Sequence, residues 1–215
     1  MRRVKFFKPF LPIHLVREKV WERPFLYCYI DSLTMEFNRT SIDGVWLIKP
    51  TVFRDNRGFF LEWFSKRRFE EHGIKADFVQ DNQSSSLKRG VLRGLHFQSP
   101  PHSQAKLVRV VKGSAYDVIV DLRKDSGTFE CWEAFTLSAE NFQMVFIPNG
   151  FAHGFCALED NTVYIYKTDE FYAPQSEGGI IWNDPTLNID WPIKKPILSV
   201  KDKKLPTFSE IKSPF

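Results

Sequence analysis

From residue 45 onward, apolar and polar side chains alternate in short runs separated by turn-forming residues: VWLIKPTVF, FFLEWF, DFVQDNQS, VLRGLHF, KLVRVV, YDVIVDLR, ECWEAFTL, MVFIP, GFCAL and VYIYKT. A period of two is what a half-buried strand produces, because successive side chains of an extended chain point to opposite faces. Strands this short and frequent predict an all-β sandwich or barrel. No repeat of about 20–50 residues is visible, which excludes propellers and solenoids and leaves a jelly-roll barrel with one or a few short helices as the best fit. One helix is predicted over SKRRFEEH, with Ser65 as its cap and Gly73 as its terminator. The turns KGSA at 112–115 and EDN at 159–161 predict hairpins between neighbouring strands. The end of the chain, GGIIWNDPTLNIDWPIKKPILSVKDKKLPTF, is rich in Pro, Asn and Asp and predicts a loop-rich lid or wrap over the barrel mouth.

Composition sharpens this picture where it is unusual. The chain uses 21 Phe and 6 Trp, a bias toward aromatic-rich β-structure rather than helical bundles. At 215 residues it suits one globular domain with an appendage. Met35 opens a segment that reads as a normal domain start, so residues 35–215 are expected to form a single jelly-roll domain. Residues 1–34 are expected to be an N-terminal extension, either disordered or arising from a non-native start. They begin like a signal peptide, but Lys8, Pro9, Pro12 and His14 break the apolar core and no small-residue cleavage site follows.

The net charge of +4, from 30 basic and 26 acidic residues, forms no basic stripe and accompanies no reading element. A nucleic-acid partner is therefore not expected, whereas a small anionic ligand is. No run approaches the roughly eighteen apolar residues of a membrane helix, so no membrane partner is expected either. The cysteines Cys28, Cys131 and Cys156 are odd in number and far apart, which reads as reduced thiols in a cytoplasmic protein.

Chemistry concentrates in a few runs. In VLRGLHFQ, strict alternation puts Leu92, Gly94, His96 and Gln98 on one face and Val91, Arg93, Leu95 and Phe97 on the other. A bulge at Gly94 would bring Arg93 and His96 to one side. Lys106 begins KLVRVV, where it either shares the barrel interior with His96 or guards a sheet edge. In PNGFAHGF, Gly150 and Gly154 bracket His153, a pattern that makes room for a ligand or for close backbone approach. Tyr164 and Tyr166 point the same way in VYIYKT, as an amphipathic wall or with a phenol placed to donate a proton. QDNQSSS carries a polar face of Gln80, Asn82 and Ser84, and RGFFLEWF offers Arg57 and Glu62, so an inward-facing set would bind something rich in hydroxyls, carbonyls and phosphates. A metal site is not expected, because His96 lacks a histidine two residues on and His102 lies in a loop. No nucleophile elbow, phosphate loop or dinucleotide fingerprint is present.

Taken together, RGFFLEWF, FVQDNQS, VLRGLHFQ, QAKLVRVVKG, YDVIVDLR, IPNGFAHGF, YIYKT and WNDPTLNIDWP resemble, in order from about residue 42 to 203, the dTDP-4-dehydrorhamnose 3,5-epimerase family. The resemblance implies a cupin-like jelly roll, a homodimer, no metal or organic cofactor, and a dTDP-sugar substrate, dTDP-4-dehydro-6-deoxy-D-glucose. It implies His96 as general base, Asp202 as the carboxylate that orients it, Tyr166 as the acid on the opposite face and Lys106 as the cation that stabilises the enolate. It implies that Arg57, Glu62, Gln80, Asn82, Arg93, His153, Glu177 and Lys201 bind the nucleotide or sugar, with Arg57 and Glu62 reaching the partner subunit's ligand. Phe171 stands where many members carry a tyrosine, a position linked to substrate placement. A C3-only or C5-only epimerase and a non-catalytic cupin that binds a sugar nucleotide are the competing readings.

Overall fold

The computed structural model describes residues 35–215, and the expectations for residues 1–34, Cys28 included, lie outside the described residues. Two antiparallel sheets face each other. The first carries, in spatial order, β1 (Glu36–Arg39), β2 (Trp46–Lys49), β10 (Met144–Ile147), β7 (Lys106–Lys112), β12 (Thr162–Thr168) and β5 (Gln80–Ser86). The second carries β13 (Glu177–Gly179), β6 (Leu92–Gln98), β11 (Phe151–Ala157), β8 (Ser114–Asp121) and β9 (Trp132–Ser138). A separate hairpin pairs β3 (Phe53–Asp55) with β4 (Gly58–Phe60). The expected all-β jelly roll is found, as an open sandwich whose sheets do not close into a barrel.

Both expected hairpins are overturned. The turn at Gly113 joins β7 to β8 and the turn at 159–161 joins β11 to β12, and in each case the two strands belong to different sheets. These turns step across the sandwich because each flanking strand offers one apolar face to the same interior: Val108, Val110 and Tyr164 of the first sheet pack with Ala115, Ile119 and Phe155 of the second. Burying those faces against each other stabilises the fold more than pairing the strands edge to edge in one layer would.

The helix α1 (Lys66–Glu71) forms where expected. Ser65 occupies its N-cap position without a side-chain bond, while Gly73, at φ +80°, reverses the chain so that the Ile74 amide donates to the Phe69 carbonyl at 2.9 Å. Phe69 of α1 helps bury the outer face of the first sheet, with Ile48, Leu107, Met144 and Phe146. The outer face of the second sheet is covered by the C-terminal segment. Ile180, Leu187, Trp191 and Phe208 pack on Leu92, Leu95, Phe97 and Val118 there. Asp184, 2% exposed, holds this segment in place by accepting from the amides of Thr186, Leu187 and Phe208. The segment therefore clads a sheet face as well as reaching the cavity, because its tryptophans and leucines need an apolar surface to bury against.

Strand β6 departs from strict alternation. His96 pairs with His153 and Arg93 with Phe155, so Gly154 alone stands opposite Gly94 and Leu95. The bulge shifts the phase by one residue. Leu92, Leu95 and Phe97 all pack outward against the C-terminal segment, while Arg93 and His96 both face the interior. Gly94 sits at φ +117°, and a Cβ there would lie 2.6 Å from Gly154 Cα and 2.7 Å from the His153 carbonyl oxygen. Replacing Gly94 by Ala is expected to destabilise the protein by about 2–4 kcal/mol, measured as a lower urea midpoint with an unchanged m-value.

Candidate functional site

A cavity of about 290 Å³ opens between the sheets. Arg93 and His96 of β6 and His153 and Phe155 of β11 form one wall. Lys106 of β7, Tyr164 and Tyr166 of β12 and Ser84 of β5 form the other, and Ser199, Lys201 and Asp202 close it from the C-terminal segment. Alternation places these side chains inward: β12 sends Tyr164 and Tyr166 the same way, and the bulge does the same for Arg93 and His96.

His96 Nε2 lies 2.6 Å from Asp202 Oδ1. Asp202 is itself fixed by donating its own amide N–H to Ser199 Oγ at 3.0 Å. Burial pushes the Asp202 carboxyl upward, but the bonds with His96 and Ser199 outweigh it and hold the group below the usual carboxylate range. With Nε2–H donated to Asp202, a neutral His96 carries its lone pair on Nδ1 and can take a proton there.

Tyr166 stands on the opposite wall, and burial raises its phenol, so it stays protonated as a donor. Lys106 lies inside the sandwich rather than at an edge, since β7 runs between β10 and β12. Burial lowers its ammonium to about 8, opposed by the charges of Asp117 and Glu177.

The other residues singled out in the sequence divide between cavity, rim and periphery. Arg93, His153 and Lys201 line the cavity with the four just described. Glu177 stands at the rim, paired with Lys201 and accepting from the Tyr172 hydroxyl at 2.9 Å. Gln80 and Asn82 are joined at 2.8 Å on β5 beside the cavity, and Gln80 Oε1 accepts from the Tyr172 amide. Arg57 and Glu62 do not join the cavity within this chain. Arg57 pairs with Asp55 in the exposed β3–β4 turn, and Glu62 pairs with Arg68 at 2.9 Å.

Asp117 was not singled out by the sequence reading. It is fully buried, accepts from the Tyr164 hydroxyl, and lies 2.9 Å from His153 Nε2. The signal was present in YDVIVDLR, where Asp117 shares the core-facing parity of Ala115 and Ile119. Ser199 likewise belongs to the cavity and left no mark in the alternation, because it sits outside the strands. Among the described residues, no group of three His, Cys, Asp or Glu side chains is arranged to hold a metal ion, and Cys131 and Cys156 are free thiols.

Residues 39–210 match the family model described as dTDP-4-dehydrorhamnose 3,5-epimerase. The chain belongs to that family. A relative of this name from Shigella flexneri is 52% identical over 169 residues, covering 78% of this chain and 93% of the relative. The crystal structure of dTDP-4-dehydrorhamnose 3,5-epimerase from Bacillus anthracis with TDP and PPi bound superposes with a TM-score of 0.80 at 48% identity, covering 81% of this chain and 99% of that one. An epimerase from Legionella pneumophila in complex with dTDP-4-keto-L-rhamnose gives 0.79 at 45% identity, covering 83% and 95%. Epimerases of this family are isomerases, and the jelly-roll expectation holds across these comparisons.

The rim depends on one buried amide. Gln98, 5% exposed, donates to the carbonyls of His102 and Phe171 and accepts from the Ala173 amide at 2.8 Å. This ties the 171–173 strand-exit segment, with the exposed Phe171 and Tyr172, to β6. Replacing Gln98 by Leu leaves those backbone groups unpaired and is expected to destabilise the fold by about 2–3 kcal/mol, read as a lowered midpoint in urea unfolding.

Proposed function

We propose that this protein converts dTDP-4-dehydro-6-deoxy-D-glucose to dTDP-4-dehydro-L-rhamnose by inverting C3 and C5. The observation that carries the reading is the His96–Asp202 pair on one wall of the cavity with Tyr166 on the other and Lys106 beside it. The C4 ketone makes the hydrogens on C3 and C5 acidic, because the carbanion formed delocalises as an enolate. His96 takes the proton from one face, the electron pair moves onto the C4 oxygen, and the Lys106 ammonium stabilises that negative charge. Tyr166 then returns a proton to the same carbon from the opposite face, which inverts it. His96 releases its proton to solvent and the Tyr166 phenolate recovers one before the second centre reacts. Asp202 favours the imidazolium that forms in between.

Arg93 and Lys201 add positive charge where a diphosphate would enter, consistent with the TDP and PPi and the dTDP-4-keto-L-rhamnose named for the two solved relatives. The hairpin β3–β4 carries Arg57 near Phe59 and Phe60, which are 55% and 65% exposed. An apolar projection bearing a cation away from its own cavity suits a homodimer in which Arg57 and Glu62 complete the site of the partner subunit. No described helix is long and apolar enough to cross a membrane, and the reading places the enzyme in the cytoplasm with the nucleotide sugars.

Incubation with the substrate in deuterium oxide is expected to place solvent deuterium at both C3 and C5, and the His96→Ala variant is expected to place it at neither. Incorporation at one carbon alone would assign a single-centre epimerase, and incorporation at neither by the unaltered protein would overturn the reading. The pH dependence follows from Lys106: its cation is present below about 8 and lost as pH rises through that value. Turnover is expected to fall on the alkaline side with a midpoint near there, measured as kcat against pH, while Tyr166, raised by burial, remains a proton donor over the same range.

A further inference from the structure

At the inner end of the cavity, a side chain from each sheet meets over one carboxylate. Asp117 Oδ2 accepts from Tyr164, which comes from the opposite sheet, and lies 2.9 Å from His153 Nε2 on the neighbouring strand. Tyr164 is 1% exposed and stacks on Phe155 with ring centroids 4.1 Å apart and planes at 2°. Among the described residues Asp117 Oδ1 has no hydrogen-bond partner, although the residue is 0% exposed. An unsatisfied buried oxygen is destabilising, and valine on this strand would avoid the penalty.

Tyr164 and His153, the two partners of Asp117, line the cavity together with Lys106. Lys106 faces Tyr164 and Tyr166 on its own sheet, Arg93, His96 and His153 across the cavity, and Glu177, Lys201 and Asp202 at the opening. Of the carboxylates in that set, Asp202 is bonded to His96 and Glu177 is paired with Lys201. Asp117 is the remaining anion on the inner side. Among the described residues it is bonded to a phenol and an imidazole, neither of which carries a fixed positive charge. Its effect on Lys106 is the larger of the two that oppose burial, ahead of that of Glu177.

We infer that Asp117 is a positioning residue for the reaction: from the base of the cavity it holds His153 and Tyr164 in place and supplies the counter-charge for the Lys106 ammonium. The inference rests on the function proposed above for Lys106. Through Asp117, the β8 strand of one sheet sets the electrostatics of a lysine on the other. Its bond to Tyr164 also fixes the spacing of the two walls that the substrate must fit between.

The test compares two variants. Asp117→Asn keeps the shape and an acceptor for Tyr164 but removes the charge, whereas Tyr164→Phe removes the bond between sheets and keeps the charge. Asp117→Asn is expected to lower kcat by about tenfold or more with KM changed less than about twofold. It should also move the alkaline midpoint of turnover downward by about one pH unit, since the effect opposing burial is gone. Tyr164→Phe is expected to leave that midpoint where the unaltered enzyme has it. A midpoint unmoved in Asp117→Asn, or moved equally in both variants, would overturn the inference in favour of a purely structural role. Should Asp117→Asn fail to fold, Asp117→Ser makes the same neutral comparison. A readout independent of turnover is the titration of Lys106 in reductively 13C-methylated protein, its resonance assigned by its loss in Lys106→Arg. A lower midpoint in the neutral variant sustains the inference even if the unaltered protein proves inactive on the proposed substrate, which would overturn only the functional reading.

Discussion

The approach of β6 to β11 at Gly94 and Gly154 organises this molecule. With no side chain on either residue the two backbones come within a distance that a Cβ would violate, and the extra residue on β6 shifts the strand's phase. Before the bulge Leu92 packs outward and Arg93 inward. After it Leu95 and Phe97 pack outward and His96 inward. One strand thus serves an apolar layer continuously while delivering two basic side chains, three positions apart, to the same cavity. An unbulged strand would have sent one of them into the apolar layer under the C-terminal segment, where an unpaired charge is strongly disfavoured.

The C-terminal segment matters for a second reason. It packs on the outer face of the sheet that carries His96, and its stretch from Ser199 to Asp202 reaches round to the cavity. The stability gained by burying Trp191, Leu187 and Phe208 is what holds Asp202 against His96, more than a hundred positions earlier in the chain. Packing energy on one face of a sheet is thereby converted into the geometry of an acid–base pair on the other. The cavity then sorts its ionisable groups by burial and by partner: a phenol held protonated, a carboxyl held ionised and an ammonium poised close to neutrality.

Much of this was legible along the chain. Alternation predicted the strands, and Gly73 marked the end of α1. The parity of VYIYKT correctly put Tyr164 and Tyr166 on one face. The joint occurrence of several motifs identified the family, and within VLRGLHFQ the glycine offered a bulge as the alternative to strict alternation. The turns at Gly113 and at 159–161 misled, because a turn sequence specifies a reversal of direction and not which sheet the next strand enters. Asp117 passed unremarked because its significance depends on Tyr164 and His153, which alternation along one strand cannot bring to it.

What the sequence determined by itself is therefore local and chemical: the strand period, the flexible glycines, the supply of a histidine, a lysine, tyrosines and carboxylates suited to proton transfer. Periodicity and backbone freedom are properties of neighbouring residues, so they are readable one segment at a time. Tertiary structure decided which strands share a sheet, that the terminal segment clads a sheet as well as reaching the cavity, and which carboxylate serves which base. Those outcomes depend on apolar faces finding one another across long stretches of chain, and on the low-dielectric interior that results, where a charge acts on whatever the fold has placed beside it.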